Sequence, residues 1–160
     1  MERGLLAHRD TLTVEGWSRV QELENVGQNS VTAFIAMDFS KVMDPAHAAI
    51  RRAVARTKRF EPLRVDDRAA EHLGMIDDLI IAEIRKSRFV IADFTNQKGG
   101  VYFEAGMALG MGLPVVWCCR QDDVERNKLH FDTRQFAHIV WTSESDLEEQ
   151  LYHKIEAVIP

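Results

Sequence analysis

Short apolar runs alternate with amphipathic stretches along most of this chain. Residues 31–37, 89–92 and 115–119 are near-continuous apolar runs, the mark of strands covered on both faces. Residues 63–65 and 136–141 read as two further short strands. Helical patterns fill the gaps. Asp44 followed by Pro45 predicts an N-cap and the opening of a helix that runs to about Lys58. Ile76, Leu79, Ile80 and Ile84 recur at helical spacing and predict a helix ending near Ser87. Residues 101–112 predict a helix of small residues stopped by Gly112 and Pro114. Ser145 and Glu148 have the spacing of a capping box for a last helix that reaches about Val158.

Strands alternating with helices imply parallel pairing through right-handed crossovers. The expected fold is therefore a three-layer α/β sandwich of the flavodoxin-like or Rossmann-like kind. Its five-stranded parallel sheet has the order 2-1-3-4-5, counted from the strand at residue 31. Residues 1–29 stand apart from the α/β domain at 30–160. Trp17, Val20 and Leu23 predict a short helix from about Val14 to Asn25, with Gly27 as its stop. The stretch from Leu12 to Trp17 is also similar to the end of a winged-helix unit, where a wing strand runs into a last helix. Residues 120–135 are long for a simple connection, as functional lids and partner contacts often are.

Composition narrows the function. The chain has 160 residues, enough for one core, and a formal charge of −5 from 20 basic and 25 acidic groups. That balance argues against a dedicated nucleic-acid or anionic-membrane binder. No apolar stretch reaches membrane-spanning length, and the first residues lack the apolar core of a signal peptide. Cys118 and Cys119 are adjacent in an apolar run, so they read as buried reduced thiols on opposite faces of a strand. A cytoplasmic location is expected. The histidines show no metal-ligand spacing, and neither a metal nor another cofactor is expected.

Open parallel sheets bind ligands outside the carboxyl ends of their strands, where the strand order reverses. The order 2-1-3 puts that point between the first and third strands. Asp38, Phe39 and Ser40 follow the first; Asp93 and Thr95 end the third. Lys98, Gly99 and Gly100 then lead into a helix whose free N–H groups favour an anion. Without the Gly-Lys-Ser/Thr ending this is no Walker loop, and loops of this composition are often plain turns. Glu104 lies early in a helix that is otherwise apolar, between Tyr102 and Gly106. A carboxylate there either needs a partner or a purpose, or points to water at a helix start. Asp77 and Asp78 read by themselves as solvated helix-start residues.

Three segments carry a resemblance. They are 87–95 (Ser-Arg-Phe-Val-Ile-Ala-Asp-Phe-Thr), 99–108 (Gly-Gly-Val-Tyr-Phe-Glu-Ala-Gly-Met-Ala) and 112–116 (Gly-Leu-Pro-Val-Val). Together they resemble the nucleoside 2-deoxyribosyltransferase-like family, which includes the transferases and the deoxynucleoside 5′-monophosphate N-glycosidases. The similarity covers roughly residues 31–158. It implies a flavodoxin-like fold and cleavage of an N-glycosidic bond through a glutamate nucleophile, which Glu104 matches. Asp93 matches an acidic position that orients base or ribose. Thr95, Gly99 and Gly100 match a loop that holds a 5′-phosphate. The family also implies a homodimer or larger assembly, with Asp132–Gln135 reaching the neighbour's site, so Asp132 and Arg134 join the candidate set.

The chain also departs from the family's pattern. The helix acid of relatives is Ile80 here, with Asp77 one turn earlier as its substitute. Asp38 stands where many relatives have proline, and Arg88 where they have aspartate. Two other readings stay open: a non-catalytic nucleotide-binding sensor, and an NAD-cleaving enzyme like TIR-type domains, which use a glutamate on a similar fold.

Overall fold

The apolar runs become the inner strands of a parallel sheet. The computed structural model describes residues 6–8, 11–24, 27–65, 76–127 and 129–160. After a short antiparallel pair, β1 (Leu6–His8) and β2 (Thr11–Leu12), comes the helix α1 (Val14–Glu24). The α/β part runs β3 (Thr32–Ala36), α2 (Asp44–Arg56), β4 (Glu61–Leu63), α3 (Ile76–Lys86), β5 (Phe89–Asp93), α4 (Gly99–Gly110), β6 (Val115–Arg120), α5 (Gln121–Asn127), β7 (His138–Trp141) and α6 (Glu144–Val158). The sheet order is β4-β3-β5-β6-β7, all parallel, which is 2-1-3-4-5 for these five strands.

Strand alternation divides the core in two. Ala33, Ile35, Phe89, Ile91, Val116 and Cys118 face the layer of α2 and α6. Phe34, Ala36, Val90, Ala92, Trp117 and Cys119 face the layer that contains α3 and α4. The two cysteines thus lie on opposite faces, both buried and neither in a disulfide. No described helix is long and apolar enough to cross a membrane.

Several element ends differ from expectation. β4 lies at Glu61–Leu63 rather than 63–65 and includes Pro62. It is an edge strand, where a missing N–H costs no ladder bond. Met43 takes the N-cap position of α2 and Asp44 is the first helical residue, because a 3₁₀ turn at Lys41–Met43 starts the coil earlier. The cap of α6 is Ser143, which accepts from the Asp146 N–H at 3.2 Å, while Asp146 Oδ2 accepts from the Thr142 N–H at 2.9 Å. Two capping patterns overlap in the sequence there. Glu148 of the other one accepts from Arg52 Nε at 2.6 Å instead. The long stretch after β6 is not structureless, since it holds α5.

Gly27 docks the N-terminal segment. Its φ is +81°, and a Cβ there would sit 2.2 Å from the Ser87 carbonyl oxygen. Only glycine suits both the left-handed backbone and the close approach.

Candidate functional site

The order reverses between β3 and β5, and polar side chains from both strand ends meet there. Asp38, just beyond β3, is the hub. Its Oδ2 accepts from Ser40 Oγ at 2.7 Å and from Asn96 Nδ2 at 2.8 Å. Its Oδ1 accepts from the Ser40 N–H at 3.2 Å, and Lys98 Nζ lies 3.8 Å from it. Burial raises the Asp38 pKa, but the bonds from Ser40 and Asn96 with the Lys98 charge outweigh it, so the carboxyl sits below its ordinary range. Phe39 is exposed beside this hub, with the Arg64 guanidinium 5.3 Å from its ring centre.

The loop after β5 is tightly fixed. Asn96 and Gln97 both adopt left-handed backbone, with φ of 66° and 51°. Such conformations persist where the surroundings over-determine them. Asn96 is held by Asp38. Gln97 is held by Asp123 Oδ2 at 3.1 Å and by the Tyr102 hydroxyl, which donates to Gln97 Oε1. Lys98 then takes the N-cap position of α4 in extended conformation, with no side chain capping the helix start. Gly99 and Gly100 are exposed, and a Cβ on either would meet nothing within 4 Å. The start of α4 is therefore open and carries the positive end of the helix dipole.

Glu104 shares the inward face of α4 with Val101, Ala105 and Ala108. It is 8% exposed and makes no hydrogen bond or ion pair with another described residue. Desolvation alone pushes its pKa up to about 7. A carboxyl raised in this way by burial marks a candidate functional group. Asp77 lies in the first turn of α3, which packs against α4, but its side chain is outside the described residues. Ile80 packs at the edge of the apolar cluster under these helices.

Asp93 is placed differently from Asp38. It is fully buried; its Oδ1 accepts from the Thr95 N–H at 3.0 Å and its Oδ2 from Trp141 Nε1 at 2.8 Å. Desolvation raises its pKa in spite of these bonds. Thr95 is equally buried, and its Oγ1 accepts from the Arg120 N–H at 3.0 Å. The pair locks the end of β5 to β6 and β7, rather than lining the crevice with Asp38. Burial holds the neighbouring thiols protonated, pushing Cys118 well up and Cys119 to about 12.

Tyr102 and Glu104 are two residues apart on α4, about 200° around the helix. Tyr102 faces a cavity of about 370 Å³ lined also by Trp117, His130, Asp132, Thr133 and Phe136. Arg134 is exposed nearby, its guanidinium 4.7 Å from the Phe131 ring centre, on a second cavity of about 500 Å³. Asp132 and Arg134 thus gather on the Tyr102 side of α4 within one chain. A third cavity of about 560 Å³ opens beyond the ends of β6 and β7, beside Arg120, Asp122, Trp141 and Glu144.

Three contributors were missed in the sequence. Asn96 and Gln97 carried only a turn signal. Trp141, 48 residues from Asp93, carried no local signal at all. Among the described residues no group of three or more His, Cys, Asp or Glu could hold a metal ion. No protein-family model matches this chain, and no curated protein matches it in sequence. The class that fold and site define is a flavodoxin-like α/β sandwich with a cluster of hydrogen-bonded polar side chains at its switch point.

Proposed function

We propose that this protein cleaves the N-glycosidic bond of a nucleoside or nucleoside 5′-monophosphate. The observation that carries the reading is Glu104, a buried carboxyl with no partner among the described residues and a pKa raised to about 7, on an otherwise apolar helix. Its ionised oxygen attacks the anomeric carbon. The C–O bond forms as the C–N bond breaks, and the base leaves with a proton from water. Water then releases the sugar, or a second base takes it, which makes the reaction hydrolysis or transfer. The open, uncapped start of α4 with Lys98, Gly99 and Gly100 suits a 5′-phosphate, and exposed Phe39 suits a base.

The working unit in this reading is a homodimer or larger assembly. Asp132 and Arg134 are exposed and lie on the opposite side of α4 from Glu104, free to reach a neighbouring copy's crevice. Light scattering gives the mass. Mixing Glu104→Gln with Arg134→Ala restores some activity if sites are shared, because one hybrid site keeps both residues. A fully active monomer refutes the shared site.

The activity test is incubation with nucleosides, nucleoside 5′-monophosphates and NAD, read as released base. Release by wild type and none by Glu104→Gln supports the mechanism. Release by the variant at the wild-type rate ends it. Release from NAD alone favours NAD cleavage, and tight nucleotide binding without release favours a sensor.

A further inference from the structure

Asp38, Ser40 and Lys98 together present an unusual set of hydrogen-bonding atoms at the switch point. An ionised carboxylate only accepts hydrogen bonds. The 2.7 Å contact therefore commits the Ser40 hydroxyl proton to Asp38 Oδ2. Ser40 Oγ is left with acceptor capacity alone. Asp38 Oδ2 is filled by Ser40 and Asn96, whereas Oδ1 takes one N–H at 3.2 Å and keeps a lone pair beside Lys98. Two acceptors thus stand next to an ammonium with three donors. The ligand group that matches these two acceptors must donate twice, from neighbouring atoms. A vicinal diol does this, and a phosphate, which only accepts beside a carboxylate, does not.

The place in the fold agrees. Open α/β sheets bind ligands beyond the carboxyl ends of their strands, and in dinucleotide-binding ones an acidic side chain holds the ribose hydroxyls. Asp38 contacts Lys98, the residue before α4, and Glu104 lies six residues further along, about 9 Å of helix rise.

We propose that Asp38 and Ser40 bind the 2′,3′-diol of the ligand's sugar, so that the protein selects ribo- over 2′-deoxyribonucleotides. This rests on the N-glycosidic reading and names its substrate class.

The test titrates the Glu104→Gln protein by calorimetry with adenine, guanine, cytosine and uracil nucleoside 5′-monophosphates, each in ribo, 2′-deoxy and 3′-deoxy form. For the base that binds most tightly, the ribo form should bind at least about tenfold more tightly than either deoxy form, the scale of a hydrogen bond to a charged group. Adding Asp38→Asn keeps the size and an acceptor for the Ser40 N–H. It should bring the ratio down to about threefold or less. Affinity for the deoxy forms should hold or rise, since Lys98 loses its carboxylate neighbour. Equal binding of ribo and deoxy forms overturns the proposal, as does a ratio unmoved by Asp38→Asn. Ribo preference without base release by wild type leaves the diol site standing and removes the glycosidase. Base release with no ribo preference does the reverse. No binding of any of these nucleotides removes both.

Discussion

The Asn96 side-chain amide donates to Asp38 Oδ2 at 2.8 Å, joining the loop after β5 to the end of β3 across the point where the strand order reverses. Asn96 holds φ at 66°, a conformation that asparagine tolerates and alanine does not. Asn96→Ala therefore loses a bond and gains strain, and should cost about 2 kcal/mol. Asn96→Gly loses only the bond and should cost about 1 kcal/mol. Urea titrations rank the two. An alanine variant as stable as the glycine variant contradicts the strain.

Glu104 ties stability to pH. Its folded pKa of about 7 lies above the ordinary 4.5, so the folded protein holds a proton that the unfolded chain releases. Stability is intact below the ordinary value and falls as pH rises between the two. Glu104→Gln removes that loss. The variant should be more stable than wild type by up to about 3 kcal/mol at pH 8 and equal to it at pH 4. Denaturant titrations at both values check this, and an equal difference at both contradicts it. The wild-type kcat/KM for base release should rise with pH through the same region, because the nucleophile must be ionised.

Trp141 supplies the bond to Asp93 Oδ2 in a site with no solvent exposure. Trp141→Phe leaves that oxygen unpaired and should cost about 2 kcal/mol, or roughly 4–8 °C in Tm. Thermal melts followed by circular dichroism read the shift. A change below one degree would mean that the indole contact does not stabilise the fold.

Gly27→Ala places a methyl group against the Ser87 carbonyl and forces a left-handed alanine. The N-terminal segment should undock before the α/β part unfolds. Limited proteolysis should then cut near α1 at protease levels that spare wild type. Identical digestion patterns would count against the docking role.

The fold was legible because its signals are local. Near-continuous apolar runs at 31–37, 89–92 and 115–119 leave little choice but covered parallel strands, and the alternation with helices pointed to the doubly wound order that the sheet has. Boundaries slipped where two local signals competed, as at Ser143 and Ser145, or where context licensed a breaker, as at Pro62 on the edge strand. The site was legible in part. Topology alone placed Asp38 and Ser40 beside the loop after β5, and there they meet Asn96 and Lys98. It also grouped Asp93 and Thr95 with them, yet strand alternation and the Trp141 indole turn these two inward. Which of two adjacent acids faces a crevice depends on partners dozens of residues away, and no local pattern records that.

The aromatic packing near this loop has an optical consequence. Trp117 lies between Phe94 and Phe136, with ring centres 5.4 and 4.3 Å away and planes 9° and 1° from parallel. Phe94 immediately precedes the Thr95–Gln97 turn, so any movement of that turn shifts the rings around one indole. Trp141 reports on the Asp93 carboxyl, and Trp17, 60% exposed, on solvent. The chain's three tryptophans therefore sample three separate environments. Ligand arrival at the crevice, loosening of the strand ends and release of the N-terminal segment should each leave a different emission signature, without any added label.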